Sequence, residues 1–532
     1  MLSGSRRILA ADWTGPVAVG LVALVAVLAT INPAHFGPGV TVDESFNTAQ
    51  GYFLTEAAGA YGWAMLHPAS QLEVAQSALN DHPPLARWGI GISEQVGRRI
   101  VAPENPTAPY SLARARIASA VEFAVLVCLI GFVATRWYGR PAGWVAAISL
   151  LVMPRVFGHA HIASLESMMN LTYAAAILSV AHFWDHEAPP SKRVACLTGV
   201  LFGLALLSKV QAIFIPIPIA LWALLRWRHR AIVPVAVWGM AGLFVFYAGW
   251  PHLWDAPFDH LMKYLGRTTE RIELQNWYLG QQFADRMTPW HYPLVMFAIT
   301  VPVGVHLLSL IGVAELRKTF TKFPREVLLL GAIALPLLVF SLPGTPIYDG
   351  VRLFLVVYPL WAIFAGRGGQ LGLDWLRTRM SVGKSNGFLA GFLLLQAYGI
   401  VFLAPCWLSY YNLTVGGLRG ADRLGLERTY WSDSVTHDLL EKALDEIPDG
   451  STLYVAPVLH QFQLDEMLAQ EPLLAQHDIQ LQPYQGAPLG ARDYLLVYYR
   501  RANLDVTPDE NWRIISEVRR ENVPLAGVYQ AP

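Results

Sequence analysis

Long apolar segments recur along most of this chain, and they constrain its fold more than any other feature. A helix needs about 20 consecutive apolar residues to cross the hydrocarbon of a bilayer. By that rule, segments near 15–34, 114–135, 141–155, 162–183, 194–208, 211–227, 231–250, 291–313, 326–343, 352–366 and 387–405 read as spans. The expected fold is a polytopic α-helical membrane protein with about 11 transmembrane helices over residues 1–405. Charged residues make up only 15% of the chain, against about 25% in soluble domains. The formal net charge is zero, so no bulk field points to a nucleic-acid partner. Cys128, Cys196 and Cys406 show no metal-ligand or disulfide spacing.

The distribution of Lys and Arg sets the expected orientation. Arg6 and Arg7, Arg136 and Arg140, Lys192 and Arg193, and the clusters around 226–230, 317–325 and 367–384 all fall in loops on one side. The positive-inside rule makes that side cytoplasmic. It leaves two sizeable parts outside: a first outer loop, 35–113, and the tail 406–532. The loop carries amphipathic stretches at 44–66 and 84–100 that read as helices lying on the membrane surface. A second outer loop covers 251–290. The tail has no spanning run. A helical pattern at 435–447, a Pro448-Asp449-Gly450 turn and strand patterns at 452–456, 494–499 and 523–529 read as a small extracytoplasmic α/β domain.

Ionisable residues at the span ends gather on the outer side. Charges at a membrane edge are costly, and they tend to mark substrate paths. Asp43 and Glu44, an adjacent pair just past the first span, suit a general base and a positioning carboxylate. The plainer reading is a helix N-terminus, with Asp43 as cap and Glu44 favourable to the dipole. Arg114, Arg116, Lys209 and Arg352 suit a phosphate, or they snorkel to headgroups. His82, Arg155, His159, His161, Glu166 and Tyr348 are expected to line a cavity. His159 and His161 with Glu166 lack helical ligand spacing, so a metal is not expected and no cofactor is required.

Several motifs in order resemble the C-type membrane glycosyltransferases that use polyprenyl-phosphate sugars, in the protein O-mannosyltransferase and aminoarabinose transferase group. These are the acidic pair Asp43-Glu44, the element His82-Pro83-Pro84-Leu85, and Arg114 or Arg116 opening a span. Gly203-Leu204-Ala205 through Lys209, and Arg352 through Pro359, follow. The stretch from Ser409-Tyr410-Tyr411-Asn412 to Thr429-Tyr430-Trp431 is similar to a signature of bacterial members, so the resemblance covers residues 1–431. Glu166 stands where the family commonly has Asp, and His82 where the aminoarabinose transferases have Lys. The tail does not resemble the β-trefoil of the eukaryotic enzymes.

The resemblance implies an inverting glycosyltransferase of the bacterial inner membrane. It would move a monosaccharide from a polyprenyl-phosphate carrier to a glycan, lipid or protein acceptor at the outer face. Asp43 and Glu44 would be catalytic, and Arg116, Lys209, Arg352 and Arg114 would bind the donor phosphate. The alternative is a transporter or flippase of a lipid-linked or polar substrate. Such folds often carry internal repeats, and none is visible here.

Overall fold

A computed structural model describes residues 3–102, 105–267, 273–318, 320–322, 324–458, 460–490 and 493–532. The chain is mostly helical up to residue 402 and ends in a sheet. The eleven expected segments are largely helical, but 291–313 and 387–405 are each divided between two helices, and several helices are short. Arg140–Leu151 and Pro216–Trp227 have 12 residues each and Lys192–Leu206 has 15, fewer than a straight span needs. By length and composition, three helical runs among the described residues are able to cross a membrane: Leu112–Tyr138, Val210–Gly249 and Val382–Phe402. The pair Tyr292–Thr300 and Val303–Arg317, bent by 109°, makes a fourth if it is one span. These runs turn large apolar side chains outward, among them Leu243, Phe244, Leu394, Leu395, Val401 and Phe402. An exposed apolar belt of that kind marks a surface whose solvent is lipid, and the chain is an integral membrane protein.

The segment 35–113, expected as the first outer loop, packs into the body of the protein. Its helices Val42–Tyr61 and Leu85–Gly97 cross where Gly51 meets Gly91. A Cβ on Gly91 would sit 2.0 Å from the Gly51 carbonyl oxygen, so the crossing requires glycine. Leu85–Gly97 packs in turn on Leu112–Tyr138. The Val357–Arg377 helix runs through the centre, with Val357–Gly366 buried without a break.

The tail forms a five-stranded sheet in the order Gln480–Pro483, Thr452–Ala456, Tyr494–Tyr498, Val523–Gln530, Arg513–Arg520. The first three strands are parallel and the last two antiparallel. The His437–Leu444 helix precedes the sheet, and the Pro448-Asp449-Gly450 turn leads into it with Gly450 at φ +76°. Strands 480–483 and 513–520 and the Phe462–Gln470 helix were not among the expected elements.

The sheet domain clasps the segment 35–113. Gly39 N–H donates to the Asp433 carbonyl at 2.8 Å, and Ser432 Oγ donates to the Val40 carbonyl at 2.5 Å. Gln470 accepts from Leu112 N–H at 3.0 Å, and Tyr110 O–H donates to Glu466 at 2.7 Å. Gly39 and Val40, just before Asp43, are therefore fixed from the tail side.

Candidate active site

Thr41 caps the Val42–Tyr61 helix, and its N–H donates to Glu44 Oε1 at 2.8 Å. This is the reciprocal half of a capping box. It aims the two neighbouring carboxylates apart. Glu44 turns into the protein and is fully buried. Arg116 meets it through Nε at 2.9 Å and Nη2 at 2.7 Å. The remaining Arg116 donors go to the carbonyls of Ile31, Pro38 and Gly39, each at 2.9 Å. With its five N–H groups spent and no exposure, Arg116 has nothing left for a phosphate. Arg114 is also directed elsewhere: it lies 3.5 Å from the buried Glu94, beside Arg98. The expected roles of Glu44 in chemistry and of Arg116 and Arg114 in phosphate binding therefore do not fit the geometry. These residues hold the loop helices to the Leu112–Tyr138 helix.

Asp43 turns the other way and keeps its side chain about a third exposed (30%). It pairs with Arg352 Nη2. Arg352 also reaches Glu166 through Nε at 3.1 Å and Asp349 through Nη1 at 2.8 Å. Its guanidinium lies 5.0 Å from the Trp431 ring and 5.6 Å from that of Tyr348. Lys209 donates to Glu166. From the tail, Arg500 Nη2 stands 3.0 Å from Asp349 Oδ1, an ion pair without hydrogen-bond alignment. Arg500 is held by Asn503 Oδ1 at 2.8 Å and by the Tyr430 carbonyl. Burial pushes the Asp43 carboxyl above its ordinary value, Arg352 and Lys209 oppose the shift, and Asp349 and Glu166 add to it.

A cavity of about 500 Å³ opens beside this network. Lys209, His82, Asp81, Arg267, Thr345 and Tyr348 line its polar part. Val210, Ile213, Phe214, Val339, Phe340 and Leu353 line the apolar part. His82 Nδ1 is buried with no partner among the described residues. Burial brings the His82 pKa down to about 3, with Asp81 opposing, so the ring is neutral. A smaller cavity, about 140 Å³ and lined by Asn80, Arg87, Trp88 and Trp250, shares His82 with the first.

The other expected residues form a separate layer. His159 Nε2 lies 3.1 Å from the Tyr430 hydroxyl. Arg155 donates to the Tyr410 carbonyl at 3.1 Å and sits 5.0 Å from the Tyr411 ring. Both nitrogens of His161 are engaged, by the Phe157 carbonyl at 2.8 Å and Thr30 Oγ1 at 2.9 Å. Arg155 and His159 support the Tyr430–Trp431 segment under Arg352, and His161 is a packed core residue. None of the three lines the large cavity, and neither does Glu166, which is buried between Lys209 and Arg352; of the residues expected there, His82 and Tyr348 line it.

The sequence placed Asp349 among the ionisable residues at span ends without giving it a role, and did not select Arg267, Trp431 or Arg500 as site residues. Asp349 carried a local signal: it precedes Gly350 and takes φ +53°, a conformation Asp tolerates better than most residues. Arg500 carried none, because only the tertiary fold brings it to the membrane domain.

Residues 81–254 match the family model described as dolichyl-phosphate-mannose-protein mannosyltransferase. The resemblance read from the motifs is met there, in a segment holding His82-Pro83-Pro84-Leu85, Arg116, Glu166 and Lys209. No curated protein matches the chain in sequence. Among solved structures, the apo ArnT of Cupriavidus metallidurans is 14% identical, with 96% of this chain and 97% of that one covered and a TM-score of 0.49. The archaeal oligosaccharyltransferase AglB of Archaeoglobus fulgidus is 10% identical, covering 91% and 69%, with a TM-score of 0.47. The Pmt1-Pmt2 protein O-mannosyltransferase complex of S. cerevisiae is 15% identical, covering 51% and 38%, with a TM-score of 0.31.

Proposed function

We propose that this protein is a membrane glycosyltransferase that moves a monosaccharide from a polyprenyl-phosphate carrier to an acceptor hydroxyl or amine at the outer face of a bacterial cell membrane. One observation carries the reading. A partly exposed carboxylate, Asp43, is linked through Arg352 and Glu166 to Lys209, which lines the polar part of a cavity whose other wall is apolar. A prenyl phosphate needs that combination: cations for the headgroup and an apolar trough for the chain.

In this reading Lys209 and Arg267 hold the phosphate, and the apolar wall from Ile213 to Phe340 takes the first prenyl units. Asp43 accepts the proton of the acceptor group. The acceptor atom bonds to the anomeric carbon, the bond from that carbon to the phosphate oxygen breaks, and the electron pair leaves with the polyprenyl phosphate. Attack opposite the leaving group inverts the anomeric centre. Cations fixed around the phosphate stabilise the charge that develops there. Arg352 orients Asp43, and His82 offers a neutral imidazole at the cavity wall. The amino terminus lies on the cytoplasmic side, and the sheet domain, 406–532, lies outside with the site.

The test is incubation of the full chain in nanodiscs with a polyprenyl-phosphate sugar and a panel of hydroxyl and amine acceptors. The reading expects release of polyprenyl phosphate in step with a product of inverted anomeric configuration. Movement of the lipid-linked sugar across vesicles with its phosphate bond intact, and no product, would favour a flippase instead.

A further inference from the structure

The ion network beside Asp43 contains three carboxylates, Asp43, Glu166 and Asp349, and two cations from the membrane domain, Lys209 and Arg352. The sum is one negative charge in a largely buried setting, which is costly without a further cation. The missing charge comes from the sheet domain: Arg500, only 3% exposed, stands against Asp349. Its geometry also divides the labour at Asp349. Arg500 faces Oδ1 and Arg352 donates to Oδ2. Without Arg500, the whole Asp349 charge would compete with Asp43 for the same guanidinium.

We infer that Arg500 is a positioning residue for sugar transfer, contributed by the sheet domain: it balances Asp349 so that Arg352 remains aimed at Asp43. The inference rests on the glycosyltransferase reading above and assigns the tail a part in it. Two more contacts restrict Arg500 to this task. Asn503 Oδ1 and the Tyr430 carbonyl hold the side chain from behind, and Tyr430 leads into Trp431, whose ring faces Arg352. The sheet domain therefore sets both the charge and the stacking surface of Arg352.

The experiment is a charge-compensation cycle in the full chain: wild type, Arg500→Gln, Asp349→Asn and the double variant, each read for kcat, donor KM and melting temperature. Arg500→Gln is expected to lower kcat by about 10-fold or more, since it strands a buried charge. The double variant restores neutrality, and an amide oxygen at 349 still accepts from Arg352. It should recover kcat to within about threefold of wild type, well above either single variant. A purely structural Arg500 would show the same compensation in melting temperature alone, with the kcat of the folded Arg500→Gln enzyme close to that of the wild type. Equal kcat in wild type and Arg500→Gln would overturn the inference, as would a double variant no better than Arg500→Gln. If the wild type transfers no sugar, the glycosyltransferase reading itself fails. The melting temperatures then decide the charge balance alone, and additive losses at 500 and 349 would overturn it.

Discussion

At the scale of single residues, two adjacent carboxylates have opposite surroundings. Glu44 is buried, doubly bonded by Arg116, and accepts a further N–H from Ala163 at 3.2 Å. Asp43 is partly open and shares its cation with two other acids. The pair is therefore separable by mutation. Arg116→Ala leaves Glu44 charged and unpaired in the interior. It should cost about 3–5 kcal/mol of stability, read as a large fall in melting temperature whatever the activity. Asp43→Asn, at a carboxylate partly open to solvent, should lower the melting temperature far less. The role of Asp43 is also testable by pH. A base works only when deprotonated, and burial raises the Asp43 pKa against Arg352 and Lys209, with Asp349 and Glu166 adding to the shift. Transfer should thus fall on acidification at a pH above the ordinary carboxylate range of about 4. A kcat/KM profile still flat down to that range would contradict this.

At the scale of elements, the clasp between the sheet domain and the segment 35–113 has its own pH dependence. Glu466 accepts from Tyr110, and burial raises its pKa to about 7, with the Tyr110 hydrogen bond opposing and the Glu44 charge adding. Its folded value lies above the ordinary 4.5, so the folded state binds the proton more tightly. The sign follows from linkage: this stability is fully present below about pH 4.5 and lost as pH rises through about 7. Glu466→Gln keeps an acceptor without the charge. It should flatten the decline in melting temperature across that window, and an unchanged slope would remove Glu466 from the effect. The same clasp marks the limit of what the sequence reveals. Apolar runs locate the helices because burial in lipid or core requires them, and the turn at Gly450 and strands 452–456 and 494–498 follow from local chemistry. Strand 513–520 escaped because Arg513, Glu517, Arg519 and Arg520 interrupt its alternation. Asp43, Lys209 and Arg352 were legible because a charge beside an apolar run is conspicuous. Whether such a charge faces a cavity or a partner was not, since Arg116 and Arg352 look alike until the fold supplies Glu44 to one and Asp43 to the other.

At the scale of the whole molecule, one cavity joins an apolar wall to a polar end of Asp81, His82, Lys209 and Arg267. Ile213 is 45% exposed on the cavity wall. Ile213→Asp should raise the donor KM by about 10-fold or more with kcat little changed, because it places an uncompensated charge against the prenyl chain. A loss confined to kcat would move the lipid elsewhere. The central claim is that Asp43 is the base of a sugar transfer from a polyprenyl-phosphate donor. Its most direct test compares wild type and Asp43→Asn for transfer of a labelled monosaccharide from that donor, with donor binding measured on both. The account predicts transfer by the wild type, and a variant that folds and binds donor but transfers about 10²–10⁴-fold more slowly. A variant as fast as the wild type, or a wild type that binds the donor and never cleaves it, would contradict the claim.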